Sequence, residues 1–238
     1  NQETQKLSRK ERERLFKRQE IVNAARVVFA ARGFDAATLD EIAERAEFGK
    51  GTLYNYFQNK EELFESVIAD IFDEFVGIAV ATCTNPALSL KESYINFARQ
   101  LLDHLFNNMG MHNLLMRMGM YNLLMREMHR MDRHSHLAML FPNLLMVIEE
   151  PLQRAVKNGE IGEVPTTQMG FLYVTSIFSL FNSSLHLQKG FVCVNGVPQL
   201  TMGEEEIEAS IAHCIRMIDI AFFNGVLNHR PATENEKQ

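Results

Sequence analysis

The sequence predicts an all-α protein, and three observations support that prediction. Apolar residues recur every three or four positions along most of the 238 residues, which is the spacing of one buried helix face. Six prolines and thirteen glycines leave few breaks in these patterns. Only one segment, 191–198, is strand-like, with Asn195-Gly196 between valines as a hairpin turn signal and Pro198 restricting it to a sheet edge. We therefore expect helices throughout, organised as a small N-terminal domain followed by a larger one.

The charge is distributed unevenly along the chain. The formal net charge is −6, but residues 1–60 contain 12 Lys and Arg against 9 Asp and Glu. Residues 61–238 contain 12 Lys and Arg against 21 Asp and Glu. A basic front and an acidic rear suit a nucleic-acid-binding head on a body that does not bind nucleic acid, and chance variation is the alternative.

Cysteine usage and hydropathy indicate a cytoplasmic protein. Cys83, Cys193 and Cys214 are odd in number and widely spaced, which argues against a disulfide framework and a thiolate zinc site. The longest strongly apolar run, near 171–181, is shorter than the ~20 residues that a membrane-spanning helix needs. The first residues are polar and do not form a signal peptide. Because the chain starts at Asn1, we expect a preceding segment.

The N-terminal segment 1–18 is polar and basic. Such a segment is either a solvated, frayed tail or an arm that touches DNA phosphates. A first helix is expected from about Arg14 to Arg32. Gly33 follows as a suitable C′ residue. The buried face of this helix is formed by Ile21, Ala25, Val28 and Phe29.

Two short helices follow, joined by a three-residue turn. Thr38 and Glu41 form a Thr-x-x-Glu capping box that opens a helix at Leu39–Ala46. After the turn 47–49, a third helix spans about Lys50–Tyr56. Its inner face carries Leu53 and Phe57, and its other faces carry Lys50, Thr52, Tyr54 and Tyr56. Hydroxyls and a cation on the outside of such a helix suit phosphate oxygens and base edges, so the arrangement indicates a helix-turn-helix.

Residues 20–64 resemble the N-terminal DNA-binding domain of TetR-family transcriptional regulators. The resemblance rests on an ordered set of residues: the alanine pair with Phe29, the Gly33-Phe34 corner, Thr38, Ile42-Ala43, Gly51-Thr52-Leu53-Tyr54, Tyr56-Phe57, and Lys60 followed by Glu62-Leu63. Two positions depart from the family pattern. Glu47 replaces the usual turn glycine and would be strained at positive φ, and Gly49 replaces a serine.

The resemblance implies which side chains contact DNA. Thr38 caps a helix whose N-terminus can face a phosphate. Asn55 is added on chemical grounds, because asparagine suits adenine as lysine suits guanine. The candidate DNA contacts are Thr38, Lys50, Thr52, Tyr54, Asn55, Tyr56 and Lys60.

Five longer helices are expected in the body, at about 60–81, 88–106, 133–157, 165–188 and 204–227, with Pro142 and Pro151 kinking the third of them. The family resemblance implies that the last two form a four-helix bundle in a homodimer. The candidate interface residues are Phe181, Leu185, Ile211, Ile215, Ile218 and Phe222.

A methionine-rich tandem repeat lies between these helices. Residues 109–117 and 118–126 are identical at eight of nine positions, and ten methionines fall between Met109 and Met146. Methionine suits adaptable apolar pockets, gap-filling in a core, or a soft-metal site with nearby histidines such as His112 and His129. For the first alternative, the candidate ligand residues are Met116, Met120, Met125, Phe141 and Phe178.

These observations give a domain plan: an arm at 1–18, a helix-turn-helix domain at 19–62, an effector-binding and dimerisation domain at 63–228, and a polar tail at 229–238. The resemblance implies a homodimeric repressor that releases a two-fold DNA operator when a small apolar effector binds. A soft-metal-responsive regulator is the alternative. No phosphate-binding loop, nucleophile elbow or zinc-protease motif occurs, so we expect neither enzymatic activity nor a cofactor.

Overall fold

The computed structural model describes residues 8–108, 136–187, 191–194 and 197–224. This part of the chain is helical apart from one two-stranded hairpin, so the all-α prediction is confirmed. The elements in chain order are α1 Arg9–Ala36, α2 Leu39–Arg45, α3 Lys50–Tyr54, α4 Lys60–Cys83, α5 Leu90–Asn107, α6 His136–Lys157, α7 Thr166–Leu187, β1 Phe191–Val194, β2 Val197–Leu200 and α8 Glu204–Ile218, which continues into a π-helical turn at Asp219–Phe223.

Helix α1 begins earlier than its apolar pattern indicates. Ser8 caps it, because its Oγ accepts the Glu11 N–H at 3.2 Å while Glu11 accepts the Ser8 N–H at 2.7 Å. The basic residues from Arg9 onward therefore continue the helix, and the expected start near Arg14 is corrected. Gly33 interrupts the helix with φ 79° and ψ 171°, a conformation that favours glycine.

The three N-terminal helices and the start of α4 share one apolar core. Phe29 of α1 meets Phe64 of α4 edge to face, with ring centroids 5.0 Å apart. Phe34, in the corner after Gly33, packs on the same Phe64 ring at 4.8 Å. Ile42 of α2 is fully buried in this cluster. The aromatic corner thus joins the head to the long helix that leads into the body.

Polar contacts run along the rest of the α1–α4 junction. The α4 partners are spaced four residues apart and therefore share one helix face. The three pairs are Arg18–Ser66 at 2.8 Å, Gln19–Asp70 at 2.5 Å, and Arg26–Glu74 at 2.7 and 3.0 Å.

The body is built around α4, which packs most extensively on α6 and also on α5. Helix α7 covers α6, and α8 packs on α5 and α7. Tyr94 of α5 stacks on Tyr173 of α7, with centroids 4.0 Å apart, at the centre of this core. The Tyr94 hydroxyl donates to the Ile148 carbonyl of α6 at 3.0 Å, and the Tyr173 hydroxyl donates to the Tyr94 carbonyl.

The expected hairpin is present as β1 and β2, which pair antiparallel from Phe191 opposite Leu200 to Val194 opposite Val197. Its turn residues Asn195 and Gly196 lie outside the described residues, as do 1–7, the methionine repeat within 109–135, and the tail from 225. Helix α8 leaves regular α geometry at Asp219, earlier than the expected end at Leu227. None of the described helices is long and apolar enough to cross a membrane.

Candidate nucleic-acid interface

The N-terminus of α2 is exposed and capped as its sequence predicts. Thr38 Oγ1 accepts the Glu41 N–H at 3.2 Å, and the Thr38 N–H donates to Glu41 Oε2 at 3.3 Å. Both Thr38 and Asp40 are exposed in this first turn. The helix dipole favours an anion at this end, although Glu41 and Asp40 already supply negative charge there.

The turn between α2 and α3 is a Schellman motif with Glu47 at C′. The Glu47 N–H donates to the Glu44 carbonyl at 3.1 Å, and the Phe48 N–H donates to the Ala43 carbonyl at 2.9 Å. Glu47 has φ 57°, and it alone among the described non-glycine residues has a positive φ. Glu47 therefore adopts the left-handed conformation that the motif requires, and the strain expected of a glutamate there remains a prediction.

Helix α3 presents one face to the core and the other to solvent. Leu53 and Phe57 are buried, as predicted. Tyr54 is 48% exposed and Asn55 is exposed, whereas Thr52 and Tyr56 are half-buried. Regular α-helix ends at Tyr54, and tighter turns from Asn55 to Thr52 and from Tyr56 to Leu53 complete the segment. The predicted outer residues are therefore together on the solvent side of the head.

Lys50, the first residue of α3, is paired across the turn with Asp40 of α2. Its Nζ lies 2.6 Å from Oδ1 and 3.0 Å from Oδ2 of Asp40. The hydrogen bond to Asp40 and the charge of its carboxylate raise the pKa of Lys50. Sequence reasoning missed Asp40, because the two residues are ten positions apart and no local pattern links them.

The Lys60 side chain binds main-chain carbonyls of the segment after Gly33. Its Nζ donates to the carbonyls of Phe34 at 2.8 Å, Ala37 at 3.1 Å and Asp35 at 3.2 Å. It also lies 4.6 Å from the centroid of the Phe34 ring. An ammonium group has three N–H donors, so a DNA phosphate would compete with these carbonyls. The predicted phosphate contact of Lys60 remains a prediction.

A basic groove of about 500 Å³ runs between α1 and α3. Lys10 and Arg14 line one wall, together with Lys17, which is paired with Glu13 at 2.9 Å. The opposite wall is formed by Thr52, Asn55 and Tyr56. The helical start of α1 therefore extends the outer face of α3 with cations, which the Ser8-x-x-Glu11 signature could have predicted.

The two described candidates for an effector pocket lie in the body core. Phe178 is 5.7 Å from Phe75 of α4, and Phe141 is 5.6 Å from Phe171, measured between ring centroids. Met116, Met120 and Met125 lie outside the described residues, so the pocket remains a prediction. Within the described ranges, no group of three or more His, Cys, Asp or Glu side chains could hold a metal ion.

The candidate dimer residues are mostly covered within one protomer. Phe181 packs on Phe106 at 4.7 Å, and Phe222 packs on Tyr173 at 5.3 Å. Helical periodicity identifies an apolar stripe but does not show what covers it. In the structure the stripe is covered within the protomer, and this corrects its assignment to a second protomer. Five of the six residues, Phe181, Leu185, Ile211, Ile218 and Phe222, are buried in the protomer, and Ile215 is half-buried.

Comparison with known proteins points to one family. Residues 21–67 match the family model described as bacterial regulatory proteins, tetR family. The chain is 43% identical over 54 residues to the HTH-type transcriptional regulator YhgD of Bacillus subtilis, covering 23% of this chain and 28% of that protein. It is 38% identical over 61 residues to the HTH-type transcriptional repressor KstR2 of Mycolicibacterium smegmatis, covering 26% and 30%. Each match thus spans less than a third of the relative.

The likeness in fold extends over most of the chain. The transcriptional regulator FadR from Bacillus subtilis, solved in complex with stearoyl-CoA, superposes with a TM-score of 0.60 over 84% of this chain and 96% of that one, at 16% identity. The sequence match covers the head, and the structural match covers head and body together. Residues 21–67 therefore carry the domain that defines the tetR family of bacterial regulatory proteins, and the rest of the chain shares the fold of a solved regulator.

Proposed function

We propose that the protein is a homodimeric, ligand-responsive repressor that binds a two-fold DNA operator in the cytoplasm. The observation that carries the proposal is the solvent-facing side of α3, which continues into the basic groove beside α1. Two copies of such a head place their recognition helices in major grooves about one helical turn or more apart. An effector in the body would favour a head spacing that no longer fits the operator.

The contacts divide into those that position the protein and those that distinguish bases. Tyr54 and Tyr56 carry hydroxyls that donate to phosphates, and Thr38 lies at a helix N-terminus that suits a phosphate. Lys50, Thr52 and Asn55 are proposed to meet base edges, since they lie at or beside the exposed side of α3.

The DNA-binding proposal is tested with a duplex selected by the wild-type protein from a randomised library. We expect affinity to fall steeply between 50 and 200 mM salt, because each neutralised phosphate adds about 0.9 to the log–log slope. Tyr56→Phe should weaken binding to all duplexes similarly, whereas Asn55→Ala should change the preference among duplexes. Failure to select any sequence, together with a flat salt response, would refute the proposal.

The dimer proposal rests on the outer faces of α7 and α8. Leu172 is 47% exposed, Met217 41% and Ile220 56%, and the small residues Ser179 and Ala212 are also exposed on these helices. We expect the double substitution Met217→Glu with Ile220→Glu to yield monomers in sedimentation velocity. Met146→Glu, at an exposed position on α6, is the control that should leave the assembly unchanged. A wild-type monomer would contradict the proposal.

The effector is proposed to be a small apolar molecule bound in the body near Phe141 and Phe178, which lie on α6 and α7. Stearoyl-CoA is a suitable first probe, because a protein of the same fold was solved with it. Native mass spectrometry of the purified protein should detect a co-purified apolar molecule or the added probe, and the bound form should release the selected duplex. Binding without release would refute the ligand-responsive mechanism.

A further inference from the structure

Asp40 and Lys50 form an exposed ion pair at the start of the proposed recognition helix. Lys50 begins the recognition helix, and Asp40 lies in the first turn of the preceding helix. The Lys50 ammonium contacts both carboxylate oxygens, at 2.6 and 3.0 Å. Both side chains remain largely in solvent, at 55% and 65% exposed, on the head that carries the outer face of α3.

Folding does not account for this pair. Exposed ion pairs contribute little to stability, because solvent screens them and two side chains must be ordered. The favourable charge at the N-terminus of α2 does not depend on Asp40 alone, since Glu41 lies in the same turn and completes the capping box.

The pair changes what Lys50 can do at a DNA surface. An unpaired lysine is a mobile point charge that is attracted to any phosphate. Asp40 offsets part of that charge and favours one position of the ammonium, and the contact with two carboxylate oxygens leaves at least one of three N–H groups for another acceptor. A donor biased in this way favours a directed hydrogen bond, such as one to O6 or N7 of guanine, over a diffuse phosphate contact.

We propose that Asp40 is a specificity-determining residue that positions Lys50 for base recognition and suppresses its binding to phosphates. The inference rests on the proposed function, in which α3 enters the major groove. It also predicts that Asp40 lowers affinity for DNA of any sequence, because its carboxylate repels the phosphate backbone. The ratio of specific to non-specific affinity is thus the quantity that Asp40 raises.

The test is a double-mutant cycle with Asp40→Asn, Lys50→Gln and the combined variant. Affinities are measured for the duplex selected by the wild-type protein and for a scrambled duplex of equal length. Asp40→Asn should bind the scrambled duplex roughly 5- to 10-fold more tightly at 0.1 M salt, with a salt slope steeper by about 0.9, as one released lysine implies. Discrimination between the duplexes should fall by a similar factor. In the Lys50→Gln background, Asp40→Asn should leave discrimination unchanged.

Glu44→Gln is the matched control, because Glu44 is exposed on the same helix, four residues from Asp40, and its substitution changes the net charge by the same amount. Equal effects of Asp40→Asn and Glu44→Gln would show a general electrostatic effect and overturn the inference. So would an effect of Asp40→Asn on discrimination that persists without Lys50.

The outcome is separable from folding and from the proposed function. Thermal melting of each variant identifies any loss of structure, and in that event Asp40→Ser replaces Asp40→Asn, because serine is also favourable near a helix N-terminus. If the wild-type protein selects no duplex, the proposed function fails and the inference fails with it. If the wild type selects a duplex and Asp40→Asn discriminates as well as the wild type, only the inference fails.

Discussion

At the residue scale, the turn before α3 places one non-glycine residue, Glu47, in a left-handed backbone conformation. Glu47 and Gly159 occupy the same C′ position in two Schellman motifs, with φ 57° and 70°. At Gly159 the left-handed conformation is free of Cβ crowding, whereas at Glu47 the same conformation carries the penalty of a side chain. We therefore expect local strain in the turn at Glu47 and none in the corresponding turn at Gly159.

Glu47→Gly should increase the free energy of unfolding by about 0.5–1 kcal/mol, because relief of the left-handed strain exceeds the added chain entropy. Urea denaturation followed by circular dichroism measures the change. Glu44→Gly is the control: it lies inside α2 with helical geometry and should instead destabilise by about 0.5–1 kcal/mol. If Glu47→Gly lowered the free energy of unfolding, the expected strain at Glu47 would be contradicted.

Lys60 gives a second prediction at this scale. Lys60→Met removes the donor shared by the Phe34, Asp35 and Ala37 carbonyls and should lower the free energy of unfolding by about 2 kcal/mol. Lys10→Met, at an exposed position on α1, should have almost no effect on the same measurement. If Lys60→Met proved as stable as the wild type but bound DNA with a shallower salt slope, the phosphate role would be supported instead of the internal one.

At the element scale, α6 continues through both Pro142 and Pro151, although a proline lacks the N–H that an interior turn requires. Helix α5 supplies a hydrogen bond beside the second proline. The Ile148 carbonyl, three residues before Pro151, accepts the Tyr94 hydroxyl from α5. The Tyr94 ring also stacks on Tyr173, so one side chain joins α5, α6 and α7.

Tyr94→Phe should keep the ring stack but leave the Ile148 carbonyl without this donor. We expect the free energy of unfolding to fall by about 1–2 kcal/mol, since a buried acceptor loses a hydrogen bond. Chemical denaturation of the variant is compared with that of Tyr54→Phe, whose hydroxyl is on an exposed side chain. Equal stability of the two variants would show that the buried hydrogen bond contributes nothing.

At the scale of the whole molecule, Glu74 joins the N-terminal head to the body. Both terminal nitrogens of Arg26 in α1 donate hydrogen bonds to the Glu74 carboxylate. His104 Nε2 of α5 lies 2.8 Å from Glu74 Oε2. Partial burial alone would raise the pKa of Glu74, but contacts from His104 and Arg26 outweigh it and lower the pKa to about 2. Movement of α1 relative to the body would disrupt this cluster.

This lowered pKa makes stability depend on pH. The carboxylate binds a proton more weakly in the folded than in the unfolded chain, so its contribution is complete above about pH 4.5 and is lost as the pH falls toward 2. About a third of the side chain is exposed, and after solvent screening we expect a contribution of about 1–2 kcal/mol. Glu74→Gln should flatten the decline in unfolding free energy as the pH falls from about 4.5 toward 2.

Denaturation at a series of pH values measures that decline for the wild type and the variant. Glu65→Gln, at an exposed position on α4, is the matched control and should keep the wild-type slope. Identical pH profiles for the wild type and Glu74→Gln would mean that the carboxylate is not stabilised by the cluster.

Much of the head was predictable because its signals are local. The Thr38 capping box and the inward Leu53 and Phe57 depend on residues a few positions apart, and the structure confirms both. The early start of α1 also has a local signal, the capping box of Ser8 and Glu11. That signal was overlooked because the basic composition of 1–18 suggested a tail or an arm.

The sequence by itself determined the helical class, the order of the elements and the helix-turn-helix, because periodicity and capping act within one or two turns. Tertiary structure alone decided which face of each body helix is covered, and it assigned Phe181 and Ile211 to the protomer core. It also decided that Lys60 binds carbonyls 23 to 26 residues away and that Lys50 is held by Asp40. Such contacts join residues distant in the chain, and their partners are set by how the helices pack.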